Sequence, residues 1–263
     1  MKYKGQLRIA ILVTDIINHG PLFEKYGDYF DLFSRLFQSA QNNINAGNKN
    51  GIDKIKLELL SFDVVKKMEY PSLSELKEID GVLITGSASS VYDDAPWIQR
   101  LVKYTKHLIE NQNRVKLVGV CFGHQIIGKA MGAPVIKNPL GYEVGVHKIT
   151  LTYPGKKFLK TDNKFLDIVI ALPKGFVNIG TSEKCTIQGM IKDNHVLTIQ
   201  GHPEFFKEWV QGLLVIRKHR FSKEDYEQAW KAAELKHDGV WMGQKILEFF
   251  AENSNRIAIT SRL

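Results

Sequence analysis

Cysteine is scarce in this chain, which has only Cys121 and Cys185 among its 263 residues. The two lie far apart, and neither belongs to a Cys-x-x-Cys pair. This spacing argues against a disulfide framework and against a cysteine-based structural zinc site. It is typical of a protein that works in a reducing intracellular compartment.

Long apolar runs are also missing. No stretch approaches the roughly 20 residues that a membrane-spanning helix needs, and residues 1–5 show no apolar core of a signal peptide. We therefore expect no membrane association and a cytoplasmic location, with a mobile tail from about residue 253. A peroxisomal location stays open as the alternative, because the terminal Ser261-Arg262-Leu263 differs from the Ser-Lys-Leu address by one basic residue.

Positive charge is abundant but is not gathered into a recognisable binding stripe. The formal net charge is +8, yet the basic residues fall in separate short groups at 54–56, 66–67, 156–160 and 217–220. None of these groups is interleaved with aromatic residues in the manner of a nucleic-acid-binding surface. We expect no nucleic-acid partner, while the charge remains suited to attracting anionic substrates.

The most informative stretch surrounds Cys121. Residues 116–120 form an apolar run typical of a short buried strand, and a helical apolar pattern begins at Ile126 and continues to about Met131. Gly119 and Gly123 allow a tight turn between them. Such an elbow presents a nucleophile above a parallel sheet, and the helix N-terminus favours the thiolate. The alternative is a buried structural cysteine in a strand-to-helix turn.

A second motif, Gly201-His202-Pro203-Glu204, follows the apolar strand pattern at 196–200. His202 can take the proton of a cysteine, and Glu204 can orient the imidazole through its other nitrogen. By itself the motif is equally compatible with a polar turn. A nucleophile elbow followed by a histidine and a carboxylate predicts a cysteine-dependent hydrolase.

Strands alternate with helices along most of the chain, which predicts one α/β domain over residues 1–263 with a mostly parallel sheet. The main strands are expected at 7–14, 55–62, 80–85, 116–120 and 196–200. Further strand-like patterns occur at 134–136, 144–151 and 185–191, with a hairpin turn at 193–195. We expect a loop at 15–27, a helix from Tyr29 that gives way to a polar loop at 38–50, and helices at 96–111, 206–218, 223–234 and 240–250.

The two motifs together resemble the class I glutamine amidotransferases, whose signature is a Gly-hydrophobic-Cys-x-Gly-His-Gln elbow followed much later by Gly-His-Pro-Glu. Softer likenesses at 26–30, 86–87 and 93–98 are similar to a stand-alone branch that includes plant gamma-glutamyl peptidases and fungal glutamine amidotransferase-like proteins. The resemblance covers about residues 7–250. It implies a flavodoxin-like three-layer sandwich with a nucleophile elbow, the triad Cys121, His202 and Glu204, and no metal or organic cofactor.

The resemblance also implies an oxyanion hole made by the backbone N–H groups of Ser87 and Phe122. Gly86 and Gln125 are expected to bind the substrate, and Gln125 matches the family position that contacts the glutamyl moiety. The alternative for Gln125 is that it only caps the elbow helix. The family usually carries Gly-Gly-Pro in the first loop, whereas this chain has Gly86-Ser87-Ala88. A side chain therefore enters the loop, which favours a gamma-glutamyl peptide over free glutamine.

Three further residues near these motifs have less specific interpretations. His124 matches the signature but is interpreted as structural, and Cys185 as a core residue. Glu143 either faces the amino group of the substrate or belongs to a surface turn.

The predicted activity is hydrolysis of gamma-glutamyl amide or peptide bonds through a thioester. One alternative is a glutaminase subunit that delivers ammonia to a separate synthetase partner chain, since no synthetase domain fits within this length. An alternative of another class is a catalytically idle scaffold that binds or regulates.

Overall fold

The computed structural model describes residues 6–16, 20–47, 54–139, 144–159 and 171–252. The predictions that concern Glu143, the tail from residue 253 and the terminal Ser261-Arg262-Leu263 lie outside the described residues. In the part of the chain that is described, no helix has both the length and the apolar character needed to cross a membrane.

An eight-stranded sheet runs through the described structure in the order β2-β1-β3-β4-β8-β7-β6-β5. The first five strands in this order are parallel to one another, and the last three continue the sheet in antiparallel fashion. The strands are β1 (Gln6–Val13), β2 (Lys56–Asp63), β3 (Gly81–Ile84), β4 (Lys116–Val120), β5 (Thr150–Leu151), β6 (Val177–Thr181), β7 (Gly189–Lys192) and β8 (Val196–Ile199).

Helices lie on both faces of the sheet and complete the predicted three-layer sandwich. They are α1 (Gly20–Tyr26), α2 (Tyr29–Gly47), α3 (Leu73–Leu76), α4 (Pro96–Asn111), α5 (Phe122–Ala130), α6 (Tyr153–Leu159), α7 (Lys207–Ile216), α8 (Lys223–Ala232) and α9 (Gly239–Ala251), with a 3-10 turn at Lys218–Arg220. The parallel strands follow the flavodoxin-like order. The predicted fold class is confirmed.

The alternating side chains of β1 show how the sheet divides the core in two. Ile9 and Ile11 point to the layer that α2 and α9 cover with Phe33, Phe37 and Phe250. Ala10 and Leu12 point to the opposite layer, which α4 and α5 cover. Because both faces are apolar, β1 reads as a continuous hydrophobic run, as a central parallel strand should.

Because these five strands are parallel, their carboxyl ends and the loops that follow them lie at one edge of the sheet. β1 lies between β2 and β3. The connection from β1 therefore leads to one side of β1 and the connection from β2 leads to the other, which makes this a switch point of the sheet. Ligands in open α/β sheets bind at such a switch point. The loops after β1, β3, β4 and β8 all meet here.

Two sequence predictions near the N-terminus are wrong. The expected loop at 15–27 contains α1, in which Leu22 and Tyr26 pack against the core and which ends where the Gly27 N–H donates to the Phe23 carbonyl. Helix α2 does not end near residue 37, because Ala40 is buried and Ile44 packs on the same core. The buried face of α2 therefore continues through the polar sequence that follows Phe37.

The antiparallel half of the sheet also differs from the prediction. Residues 134–136 form no strand, and of residues 144–151 only Thr150–Leu151 is one. The strand expected at 185–191 is confined to Gly189–Lys192, and β6, α3 and α6 were not predicted. Short segments of this kind depend on their neighbours, and a Cβ at Gly155 of α6 would stand 1.8 Å from the Ile179 carbonyl oxygen.

The hairpin turn at 193–195 is confirmed, because β7 and β8 are antiparallel and pair Lys192 with Val196. Asp193 adopts the positive φ of 50° that the turn needs, a conformation that aspartate tolerates better than most residues. The turn orients β8 so that its carboxyl end meets the loop after β4. This arrangement brings the two motifs of the sequence together.

Candidate active site

Cys121 occupies a sharp turn between β4 and α5. Its backbone has φ 53° and ψ −105°, a strained conformation for a residue with a side chain. The surroundings enforce it: a Cβ at Gly123 would stand 2.3 Å from the Ile84 carbonyl oxygen, and one at Gly119 2.6 Å from the Gly123 backbone. The elbow is therefore built by close backbone packing, and it leaves the cysteine only partly buried.

The start of α5 is anchored on both sides of the elbow. The Cys121 N–H donates to the Ile199 carbonyl over 2.9 Å, and the Gly123 N–H donates to the Thr85 carbonyl over 3.1 Å. The intervening Phe122 N–H has no intrahelical acceptor, as is usual at a helix N-terminus. This N–H is accordingly available beside the cysteine.

His202 and Glu204 form a tight pair at the end of β8. The imidazole Nδ1 and the carboxylate Oε1 are 2.6 Å apart, and the Glu204 side chain is fully buried. The Phe205 ring stacks on the imidazole at a centroid distance of 4.0 Å and an angle of 3°. Because Nδ1 is held by Glu204 and the ring plane by Phe205, Nε2 is the nitrogen left for Cys121.

The electrostatics of His202 favour its protonated form. Burial by itself would lower the pKa of the imidazole, but the negative charges of Cys121 and Glu204 and hydrogen bonding with both outweigh it and raise the pKa to about 10. An imidazolium next to a cysteine stabilises the thiolate. The protonated imidazole of His202 therefore lies beside the thiol group of Cys121.

Tyr29, the first residue of α2, packs against this pair. Its ring centroid lies 6.3 Å from that of His202 and 6.1 Å from that of Phe205. Burial and the negative charges of Asp15, Glu204 and Cys121 hold the pKa of the Tyr29 hydroxyl well above its usual value, so it stays a neutral phenol. The sequence indicated only that residues 26–30 are similar to the stand-alone branch of the family.

The loop after β3, which carries the predicted oxyanion donor Ser87, is held by the end of β1. Thr14 Oγ1 donates to the Gly86 carbonyl over 2.8 Å, and Asp15 Oδ2 accepts from the Ala88 N–H over 3.0 Å. The Ser87 hydroxyl accepts from the Ser89 N–H over 3.1 Å. The side chain that distinguishes this loop from Gly-Gly-Pro therefore shapes the loop itself.

Thr14 and Asp15 were missed in the sequence, although a usable signal exists. Both follow the central strand β1 at the switch point of the sheet, where side chains are expected to approach the site. Gly86 lies against the imidazole of His202 rather than on the open surface: a Cβ there would stand 2.4 Å from His202 Cε1. Its predicted contact with substrate stays a prediction.

Gln125, predicted to bind substrate, projects from α5 into the same space as Cys121. Its Nε2 donates to Gln200 Oε1 over 3.1 Å, and Gln200 lies at the end of β8. Gln200 was not singled out in the sequence because only its partner belongs to a recognisable motif. The two amides offer a paired polar surface beside the cysteine.

His124 has the structural place that the sequence predicted. Its imidazole is fully buried, its Nδ1 lies 2.6 Å from Thr198 Oγ1, and burial lowers its pKa to about 3. It is therefore neutral and fastens α5 to β8. Cys185 is also buried, as predicted.

A cavity of about 480 Å³ opens over the elbow, which is within the range of small-molecule sites. At the elbow it is lined by Ser87, Cys121, Gln125, Gln200 and His202. From there it extends along α7 and the 3-10 turn, past Leu213, Arg217, Arg220 and Phe221. Among the described residues, no group of three or more His, Cys, Asp or Glu side chains is arranged to hold a metal ion.

Comparison with known proteins gives the class to which this fold and site correspond. The family model described as glutamine amidotransferase class-I matches residues 39–219. A glutamine amidotransferase-like protein of Schizosaccharomyces pombe is 34% identical over 255 residues, which cover 93% of this chain and 98% of that protein. The chain therefore belongs to the class I glutamine amidotransferase family.

Other relatives carry more specific names. Gamma-glutamyl peptidase 5 of Arabidopsis thaliana is 31% identical over 194 residues, 70% of each chain. A GMP synthase (glutamine-hydrolyzing) subunit of Sulfolobus acidocaldarius is 30% identical over 164 residues, 60% of this chain and 85% of that one. The crystal structure of a glutamine amidotransferase from Thermotoga maritima superposes with a TM-score of 0.67 at 17% identity, covering 95% of this chain and 100% of that one, and supports the fold.

The contact between Gly86 and His202 predicts that Gly86→Ala impairs the site without unfolding the protein. The added methyl would stand 2.4 Å from His202 Cε1, so the imidazole must move away from Cys121, and misplacement of this kind costs about 100-fold. The measurement is kcat/KM for a gamma-glutamyl peptide together with the melting temperature. Gly47→Ala is the matched control, since its methyl meets nothing within 4 Å, and equal activity of both variants would contradict the prediction.

Proposed function

We propose that this protein is a cysteine-dependent hydrolase of gamma-glutamyl C–N bonds, with Cys121 as nucleophile, His202 as general acid and base, and Glu204 as the group that orients His202. The observation that carries the proposal is the geometry of the elbow. A strained, partly exposed cysteine meets an imidazole whose Nδ1 is held 2.6 Å from a buried carboxylate. Backbone strain of this kind persists where the surrounding structure enforces it, and it concentrates at active sites.

In the first half of the proposed reaction, Cys121 Sγ attacks the gamma-carbonyl carbon as a thiolate. The carbonyl oxygen becomes an oxyanion, and in this proposal the N–H groups of Phe122 and Ser87 donate to it. Each such donor contributes roughly 3 kcal/mol of transition-state stabilisation. The C–N bond then breaks, the leaving nitrogen takes the proton of His202, and a glutamyl thioester remains on Cys121.

In the second half, water enters as the amine departs. Neutral His202 accepts a proton from this water while the oxygen of the water attacks the thioester carbon. The C–S bond breaks, glutamate is released, and the proton on His202 restores the pair with the Cys121 thiolate. Glu204 stays ionised throughout and stabilises the imidazolium.

The substrate in this proposal is a gamma-glutamyl peptide or conjugate, with free glutamine a poorer one. The Arabidopsis relative named gamma-glutamyl peptidase 5 supports this choice. The cavity supports it as well, because it continues beyond the catalytic end along α7. Binding energy from a larger leaving group can be used in the transition state, and ammonia offers none.

A second candidate is a glutaminase subunit that delivers ammonia to a separate synthetase chain. The observation that favours it is the similarity to the GMP synthase subunit of Sulfolobus acidocaldarius. The chemistry at Cys121 would be the same in both cases. The two candidates differ in the leaving group and in the need for a partner chain.

The triad assignment predicts unequal losses in three variants. Cys121→Ser and His202→Ala should each lower kcat by about 10⁴-fold or more, whereas Glu204→Ala should retain roughly tenfold to hundredfold more activity because it only orients the imidazole. Steady-state hydrolysis of a gamma-glutamyl peptide measures this, with circular dichroism as the check on folding. An active Cys121→Ser enzyme would falsify the thioester mechanism.

Alkylation of Cys121 by iodoacetamide at pH 7 separates the hydrolase from an idle scaffold without any choice of substrate. The wild-type thiolate should react at least about tenfold faster than in His202→Ala, since the imidazolium is lost. Cys185 is the internal control because it is buried. Identical rates for wild type and His202→Ala would favour the scaffold.

The preference for a peptide over glutamine is tested with purified protein in the absence of any partner. We expect kcat/KM for gamma-glutamyl dipeptides and glutathione to exceed that for glutamine by about tenfold or more, because a bound leaving group contributes binding energy in the transition state. Reaction progress is followed as released glutamate. If glutamine is hydrolysed as fast as every peptide, the glutaminase subunit replaces the peptidase.

The cytoplasm is the proposed location, because two widely separated cysteines without a disulfide framework are typical of a reducing compartment. A fluorescent protein fused to the N-terminus leaves the terminal Ser261-Arg262-Leu263 free. We expect diffuse fluorescence in the cytoplasm. Punctate fluorescence that disappears when Leu263 is deleted would instead establish the peroxisomal alternative.

A further inference from the structure

The cavity that holds Cys121 has a second end with a different character. Its wall there is formed by the last turns of α7 and by the 3-10 turn that follows, with Leu213, Leu214 and Phe221 as apolar lining. Arg217, which caps the end of α7, and Arg220, in the 3-10 turn, line the same space. Two guanidinium groups therefore share one cavity with the nucleophile.

Neither guanidinium forms an ion pair with the described residues. Lys207, another basic residue of this wall, differs because its Nζ lies 3.3 Å from Glu234 Oε1. Asp238 is the only carboxylate among the described residues that line the cavity. The far end of the cavity thus carries positive charge that the described part of the chain leaves uncompensated.

The two ends are close enough to act on a common group. The positive charge of Arg217 and the negative charge of Cys121 both act on the Tyr29 hydroxyl, in opposite directions on its pKa. The Tyr29 ring lies 6.3 Å from the His202 ring. Cys121 and Arg217 line the same cavity, so a ligand that reaches Cys121 enters the space that Arg217 lines.

The position of Arg217 at the end of α7 has a simpler structural explanation, but this explanation does not account for Arg217 and Arg220 both lining the cavity. A cation at the C-terminus of a helix interacts favourably with the helix dipole. This effect would apply equally to a side chain that points into solvent, as Lys218 does when it lies over the Tyr226 ring at 5.2 Å. It does not account for two arginines that line the catalytic cavity.

We propose that Arg217 and Arg220 bind a carboxylate of the leaving group, so that the enzyme selects gamma-glutamyl compounds whose amine component is an amino acid or peptide with a free C-terminal carboxylate. Guanidinium groups suit this role because their N–H groups match the two oxygens of a carboxylate. The inference rests on the proposed hydrolase function and specifies its substrate class. Ammonia, the leaving group of glutamine, has no carboxylate to offer.

The test compares gamma-glutamyl-alanine with its C-terminal amide, which differ only in the carboxylate of the leaving group. The wild type should hydrolyse the acid with a kcat/KM about tenfold or more above that of the amide, as a charge-assisted hydrogen bond implies. Arg217→Gln should reduce this ratio, and the double variant Arg217→Gln/Arg220→Gln should bring it close to one. The ratio is the deciding quantity, because contacts that the acid and the amide share cancel in it.

Lys218→Gln is the matched control, since it removes one positive charge from the same turn without altering the cavity lining. It should keep the wild-type ratio of acid to amide. An equal loss on acid and amide in the arginine variants would overturn the proposal, because the arginines would then bind the glutamyl α-carboxylate that both substrates share. An unchanged ratio in the double variant would overturn it as well.

A binding measurement separates this inference from the proposed function. Calorimetry with Cys121→Ala measures the affinity for the acid and the amide without turnover. If the acid binds about tenfold more tightly and Arg217→Gln abolishes the difference, the carboxylate site stands even when the wild type hydrolyses neither compound. If both bind equally, or neither binds, the carboxylate site is wrong whatever the enzyme hydrolyses.

Discussion

The close approach of backbones at the end of β4 is the constraint on which the proposed active site depends. No side chain fits at Gly119 or Gly123, where an added Cβ would stand 2.6 Å from the Gly123 backbone or 2.3 Å from the Ile84 carbonyl oxygen. This packing lets α5 begin directly over β3 and forces Cys121 into a positive φ. A third glycine, Gly86, is also required by close packing, because the absence of a side chain there makes room for the imidazole of His202.

Charge at the site is arranged around that geometry. Burial opposes protonation of the His202 imidazole, but the neighbouring Cys121 and Glu204 outweigh it and raise the pKa of His202. Tyr29 closes the site with a ring that stays neutral. In the proposed mechanism this preorganised pair means that no solvent needs to reorganise when the thiolate attacks, which is the main source of such electrostatic catalysis. Arg217 and Arg220 add positive charge to the wall of the same cavity, and the proposed role of this charge is to bind a carboxylate of the leaving group.

How much the sequence predicts depends on how local the determining contacts are. The elbow at 119–123 was predictable because strand, turn and helix signals succeed one another, and the hairpin at 193–195 for the same reason. Helix α1 was missed because none of its residues is fully buried and its packing depends on distant partners, such as the 5.0 Å contact between Tyr26 and Phe206. The role of Arg217 and Arg220, which follow α7, could not be predicted either, since only the folded chain brings them to the cavity that Cys121 lines. The place of Asp15 near the site could have been predicted, because Asp15 follows the central strand β1 at its carboxyl end.

The most direct test of the central claim is to look for the covalent intermediate itself. Protein mixed with a gamma-glutamyl peptide is quenched in acid during turnover, and its intact mass and proteolytic peptides are measured by mass spectrometry. The proposed mechanism predicts a glutamyl adduct on the peptide that contains Cys121, more abundant at early times and absent from Cys121→Ala. Glutamate release by Cys121→Ala at the wild-type rate, or an adduct confined to another residue, would contradict it.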